Sequence, residues 1–120
     1  MHGVPHNLSL AVFQGATLEL VGLGPFIVHL HFAAEPRAVI GIEGDWELRD
    51  QTGALIDHQM DPAERDAYRL HVLLDHAVVA REVSAPESFL LRFDSGHTLR
   101  VFDRSAEYES FSIQPGDIHV

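Results

Sequence analysis

Apolar and polar residues alternate with period two through most of this chain, and one stretch near its middle breaks to helical spacing. The segments on either side of that stretch resemble each other. These three observations predict an α+β fold, mainly antiparallel β, in which two similar β-meanders are joined by one amphipathic helix. The expected layout is a single domain over residues 1–120. It has a mobile tail at 1–7, a first meander at 8–57, the helix at 61–76 and a second meander at 77–120.

The strands follow in order. Leu8 to Phe13 and Thr17 to Val21 open the first meander. "FIVHLHF" then puts Phe26, Val28, Leu30 and Phe32 on one face and Ile27, His29 and His31 on the other. "AVIGIE" pairs with it across "AAEPR", and Trp46 to Arg49 ends the unit. The helix is announced by Asp61 as N-cap, Pro62 at the first helical position and Glu64 where a capping box needs a carboxylate. Ala63, Ala67, Leu70, Leu74 and Ala77 recur at helical spacing, widened by Leu73, so Leu70 and Leu74 should be buried against the sheet. Val78 to Val83, Leu90 to Phe93, "TLRVF" and Glu109 to Ile113 make the second meander, with "DSGH" as a hairpin turn and a return through "QPGD" onto Ile118 to Val120.

Placing Phe32 over Phe93 sets "IGI" (40–42) over "LRV" (99–101) and "WE" (46, 47) over "YE" (108, 109). An internal duplication accounts for this, and so does the ease with which any two short alternating runs match.

Composition removes several kinds of chemistry. The 46% apolar and 22% charged content is that of a folded globular protein. A formal charge of -10, with every one of the eight basic residues an Arg, argues against nucleic acid as a partner, because phosphate binding needs a basic face. Without Lys there is no Schiff-base or P-loop lysine. Without Cys there is no disulfide, thiolate nucleophile or sulfur-ligated metal. No apolar run approaches the ~20 residues of a membrane helix, and the first residues lack the pattern of a signal peptide, so a cytoplasmic protein is expected.

Two acidic corners stand out. Glu43, Asp45, Trp46 and Glu47 form one, and Asp103, Glu107, Tyr108 and Glu109 the other, each a turn that ends on an aromatic. They suit a partner with a basic surface. They also suit a plainer role, in which the aromatic plugs the end of a meander while the acids face water and keep an edge from pairing. "LRFDSGHTLRVF" followed by "YESFSI" resembles the C-terminal half of a group of small uncharacterised bacterial proteins, a domain of unknown function. Their pattern is F-D-x-G, a strand, then Y-E-x-W or Y-E-x-F. Phe93, Asp94, Gly96, Leu99, Val101, Tyr108, Glu109 and Phe111 carry the likeness, which covers Leu73 to Ile113. It implies a β-rich α+β fold and no assigned activity.

His29 and His31 share a strand face, as two imidazole ligands of a metal would, but further ligands from His97, His58 or an acid are not demanded by any spacing. Two surface histidines on a sheet fit equally. His71 and His76 stand five apart, too far round a helix to clamp one ion, and Ser95 in "DSGH" lacks a strand-to-helix elbow. The expected function is therefore a non-enzymatic protein-binding or accessory domain needing no cofactor, in its most concrete form an acidic immunity-type inhibitor of a basic toxin. A homo-oligomer through a sheet edge is also open. The alternative is a small-molecule or metal-dependent enzyme using His29 and His31.

Overall fold

The structure is a computed structural model that describes residues 4–5, 7–60, 62–103, 110–114 and 118–119. Its strands are β1 (Thr17–Leu23), β2 (Val28–Ala33), β3 (Ala38–Ile42), β4 (Trp46–Arg49), β5 (Leu55–His58), β6 (Val78–Ser84), β7 (Ser88–Phe93), β8 (Thr98–Phe102), β9 (Phe111–Gln114) and β10 (Ile118–His119). They form two antiparallel sheets, ordered β1-β2-β3-β9-β10 and β5-β4-β8-β7-β6. We call these the first and second sheet. Alternate residues of each turn inward and meet in one core, where Phe32 of the first stacks on Phe93 of the second at 6.4 Å and Phe89 meets Phe111 edge-on at 4.9 Å.

The two sheets share one plan. Each holds a three-strand meander from one half of the chain, followed by two strands from the other half, so β4 and β9 cross between sheets. The registers agree as well. Leu18 pairs with Phe32 and Val78 with Phe93, and each ladder then slips by one residue, at Glu19 and at Val79. Phe32 opposes Ala38 and Leu30 opposes Ile40, just as Leu91 opposes Leu99. This is the register that laying Phe32 over Phe93 requires. The overlay of Trp46 on Tyr108 fares differently. Trp46 opposes Val101 and Phe111 opposes Ile42, which makes Phe111 the counterpart of Trp46.

The predicted helix over 61–76 does not form, and the fold is mainly antiparallel β rather than α+β. Pro62–Glu64 and Leu70–Leu73 are single 3₁₀ turns. The physical reason is competition for backbone donors. A helix would give the Arg69 N–H to the carbonyl of Arg65, but the Asp57 carboxylate takes it at 2.8 Å. Arg65 meanwhile donates to the carbonyl of Ala67 at 3.1 Å, and Asp75, at φ 67°, turns the chain into β6. Leu70 is buried as expected, whereas Leu74 is 36% exposed and Leu73 fills the core instead. Asp61, the expected N-cap, lies outside the described residues.

Other boundaries move for related reasons. Leu8 to Phe13 is not a strand. Phe13 donates to the carbonyl of Leu10, and the turn drops Leu8, Leu10 and Phe13 into the core. The expected tail is anchored at Val4, which is buried and donates to the carbonyl of Pro86 at 2.8 Å. Phe26 precedes its strand and is 79% exposed rather than inward. The "DSGH" turn is as predicted, with Gly96 at φ 89°. A Cβ there would lie 2.6 Å from that of Gln51.

Candidate functional site

The two acidic corners lie in the connections that cross between sheets, and the described residues of these connections, Glu43 to Asp45 with Asp103 and Ser110, come together. The amides of Glu43 and Gly44 both donate to the carbonyl of Ser110 at 2.9 Å, and the Phe102 amide donates to the carbonyl of Asp45 at 3.0 Å. The Ser110 hydroxyl, buried between them, donates to Asp103 at 2.7 Å. Glu43 is exposed, and Asp45 and Asp103 are partly so. Glu107, Tyr108 and Glu109 lie outside the described residues. The β1–β2 hairpin tip belongs to the same end of the first sheet, since Val28 pairs with Ile42, the residue before Glu43. Phe26 and Leu23 stand exposed on it.

Trp46 is not available as an anchor for a partner. It is 2% exposed, and its indole N–H donates to Gln59 Oε1 at 3.0 Å. Glu47 is tied to Arg49 of its own strand at 3.2 Å. Beside them lies an open hollow of about 240 Å³ lined by Asp45, Trp46, Glu47, Leu55, His58, Gln59 and Phe102.

Behind Trp46 sits an ion pair that sequence reasoning missed. Asp57, on β5, turns inward and is buried. It accepts from Arg65 at 2.9 Å and from the amides of His58 and Arg69 at 2.9 and 2.8 Å. The Arg65 guanidinium also donates to the carbonyl of His58, and it lies 3.9 Å from the ring centre of Tyr68 and 5.6 Å from that of Trp46. Its Nε is the one buried side-chain polar atom without a partner among the described residues. The chain between β5 and β6 is held down by this clasp in place of a helix. Nothing local marks it in the sequence, because Arg65 on a helix would face water.

His29 and His31 do share the outer face of β2, with ring centres 6.3 Å apart. The open hollow beside them is lined by Val39, Ser112 and Gln114, and no group of three metal-ligating side chains occurs among the described residues. His76 donates to Asp94 at 2.6 Å, and this bond, with a further one from the Ala77 amide, holds the Asp94 carboxyl below its ordinary range. Asp50 is lowered likewise, first by the Thr52 hydroxyl and then by the Thr52 amide. Ser95 and His97 share a hydrogen bond of 2.8 Å inside the hairpin turn. No family model, curated protein or solved structure matches the chain.

Proposed function

We propose that this is a non-enzymatic binding domain that docks a protein with a basic surface through the end where the two crossovers meet. One observation carries the reading. Ser110, whose carbonyl accepts from the amides of Glu43 and Gly44 and whose hydroxyl donates to Asp103, together with the bond from the Phe102 amide to the carbonyl of Asp45, gathers Glu43, Asp45 and Asp103 beside an exposed apolar tip formed by Leu23 and Phe26. An apolar anchor next to a cluster of like charge suits a partner whose basic cleft steers the encounter and whose apolar rim then holds it. An immunity-type inhibitor covering the phosphate-binding cleft of a toxic nuclease has these needs, and the chain's charge of -10 favours its approach. The likeness of Leu73 to Ile113 to small bacterial proteins of unknown function fits this role and assigns no residue a part in it. We further infer that the matching registers of the two sheets descend from a duplicated unit whose last two strands exchanged places.

The test is capture of partners from the native host, followed by titration of the captured protein with two variants. The triple variant Glu43→Gln, Asp45→Asn, Asp103→Asn should lose most of its affinity at low salt and little at high salt, because exposed charges act over a Debye length of about 8 Å in physiological salt. Phe26→Ala should raise the off-rate at every salt concentration. Binding that ignores both salt and the triple variant removes this end of the molecule from consideration.

A further inference from the structure

The outer face of the first sheet has a different chemistry, and it bears on a different ligand. Alternation along β2 turns His29 and His31 outward together. In the row across the sheet His29 stands between Gly22 and Gly41, so neither neighbouring strand offers a side chain beside it. A Cβ at position 41 would lie 3.4 Å from His29 Cδ2 and 3.6 Å from its Nε2, so the ring leans over that glycine. We propose that His29 and His31 are half of a zinc site, completed by the same pair from a second copy of this chain.

The geometry supports two ligands from each copy. Zinc holds imidazole nitrogen at about 2.0–2.1 Å in a tetrahedron, which places the ring centres of two ligands ~5 Å apart. The rings of His29 and His31 stand 6.3 Å apart, and rotation of the exposed His29 ring spans the difference. Val39, Ser112 and Gln114, the other residues of the hollow, supply neither a carboxylate nor an imidazole. Among the described residues, one chain therefore offers half a coordination shell at this place.

Charge selects the occupant that brings the other half. A chain carrying -10 repels its own copies, and the penalty falls where they meet without facing carboxylates. The outward positions paired around the two histidines are Leu20, Gly22, Val39, Gly41, Ser112 and Gln114, all uncharged, Leu20 is 53% exposed, and the acid next to it, Glu19, is neutralised by Arg37 at 2.7 Å. The matching face of the second sheet carries Glu47, Arg49, Glu82, Arg92 and Arg100. A two-fold axis through the His pair would set four imidazoles around one ion, between two faces that bring no carboxylate from these positions.

Zinc chloride titrated into the full chain at neutral pH, followed by sedimentation velocity and metal analysis, tests this directly. We expect conversion of monomer to dimer with one zinc bound for two chains, reversed by a chelator. His29→Gln and His31→Gln should each abolish it while circular dichroism stays unchanged, and the combined variant His2→Gln, His6→Gln, His119→Gln should still dimerise. Zinc bound without dimerisation, a dimer that forms without zinc, or a zinc dimer that survives His31→Gln would each overturn the proposal. Absence of any response at millimolar zinc would do the same.

Discussion

Before β1, Leu8, Leu10 and Phe13 drop into the core and Gly15 turns the chain. Before β6, Leu70 and Leu73 do so and Asp75 turns it. The hydrogen bonds of the two turns mirror each other. Gly15 N–H reaches the carbonyl of Val78 at 2.8 Å, and Asp75 N–H reaches that of Leu18 at 2.9 Å, on either side of a bridge between Thr17 and Ala77. What differs is the polar chemistry laid over this common frame. The second turn follows a segment clasped by Asp57 and Arg65, and it carries the His76–Asp94 pair. The first turn has Ala16 where the second has His76, and Leu8 where the second has Tyr68. Packing requirements recur in both halves, while none of the ion pairs among the described residues recurs at its matched place in the other half.

The largest effects should fall on what the halves share. Phe32 and Phe93 hold matching places and stack on each other, so Phe32→Ala and Phe93→Ala should each cost about 4 kcal/mol in denaturant unfolding. The double variant should lose less than the two costs together, because the second truncation has no ring left to face. A cost at one position more than twice that at the other would break the equivalence.

Next comes the clasp, which only one half has. Asp57→Ala should cost about 3 kcal/mol, since it leaves the Arg65 guanidinium buried and uncompensated. The matching β10 position is Ile118, paired with Ile113 as Asp57 is with Leu48. Accordingly, Asp57→Ile combined with Arg65→Leu should recover most of that loss in the same unfolding measurement. If the double variant is as unstable as Asp57→Ala, the clasp does more than replace an apolar contact.

This contrast also explains what the sequence could reveal. Period-two alternation locates nine of the ten strands among the described residues at least in part and carries the register of Phe32 against Phe93, because inward residues repeat wherever one face is buried. "DPAERDAYRLHVLLDH" satisfies helical spacing, yet the helix does not form because a backbone donor it needs, the Arg69 N–H, is claimed by Asp57, a residue outside the segment. β5 was missed because "LIDH" carries an inward acid where alternation calls for an apolar residue. Of the candidate site, Glu43, Asp45 and Asp103 were legible as acidic turns, but their meeting across Ser110 depends on the crossing of strands between sheets. For Trp46 the sequence leaves both an anchor for a partner and a plug for its meander open, and its burial beside Arg65 with its bond to Gln59 selects the plug.

The turns themselves give a smaller, signed test. Both Gly15, at φ 79°, and Asp75, at φ 67°, occupy the left-handed region that disfavours a side chain. A Cβ on Gly15 would meet nothing within 4 Å, so the cost there is torsional. Gly15→Asp should therefore lower stability by about 1 kcal/mol and Asp75→Gly raise it by a similar amount, read as opposite shifts in denaturation midpoint. Shifts of the same sign would show that the two turns are not equivalent.

The least effect belongs to the pair on the second turn, and pH isolates it. His76 and then the Ala77 amide stabilise the ionised Asp94 carboxylate, so its pKa in the folded chain lies below that of the unfolded chain. A lowered carboxylate pKa contributes stability that is fully present above the unfolded value, and it is lost as pH falls through the folded one. Asp94 is exposed, and solvent screening keeps the contribution small. Asp94→Ala should thus reduce stability near neutrality and lose that difference from the parent chain below the carboxylate range. The first half has Ala33 at the place matched to Asp94, and exposed Ala33→Asp should not create the same acid dependence, because Ala16 gives it no imidazole to meet. Unfolding followed by tryptophan fluorescence from pH 7 down to pH 3 separates the two outcomes, and an Asp94→Ala curve parallel to the parent throughout would remove His76 and Asp94 from the account of how the halves differ.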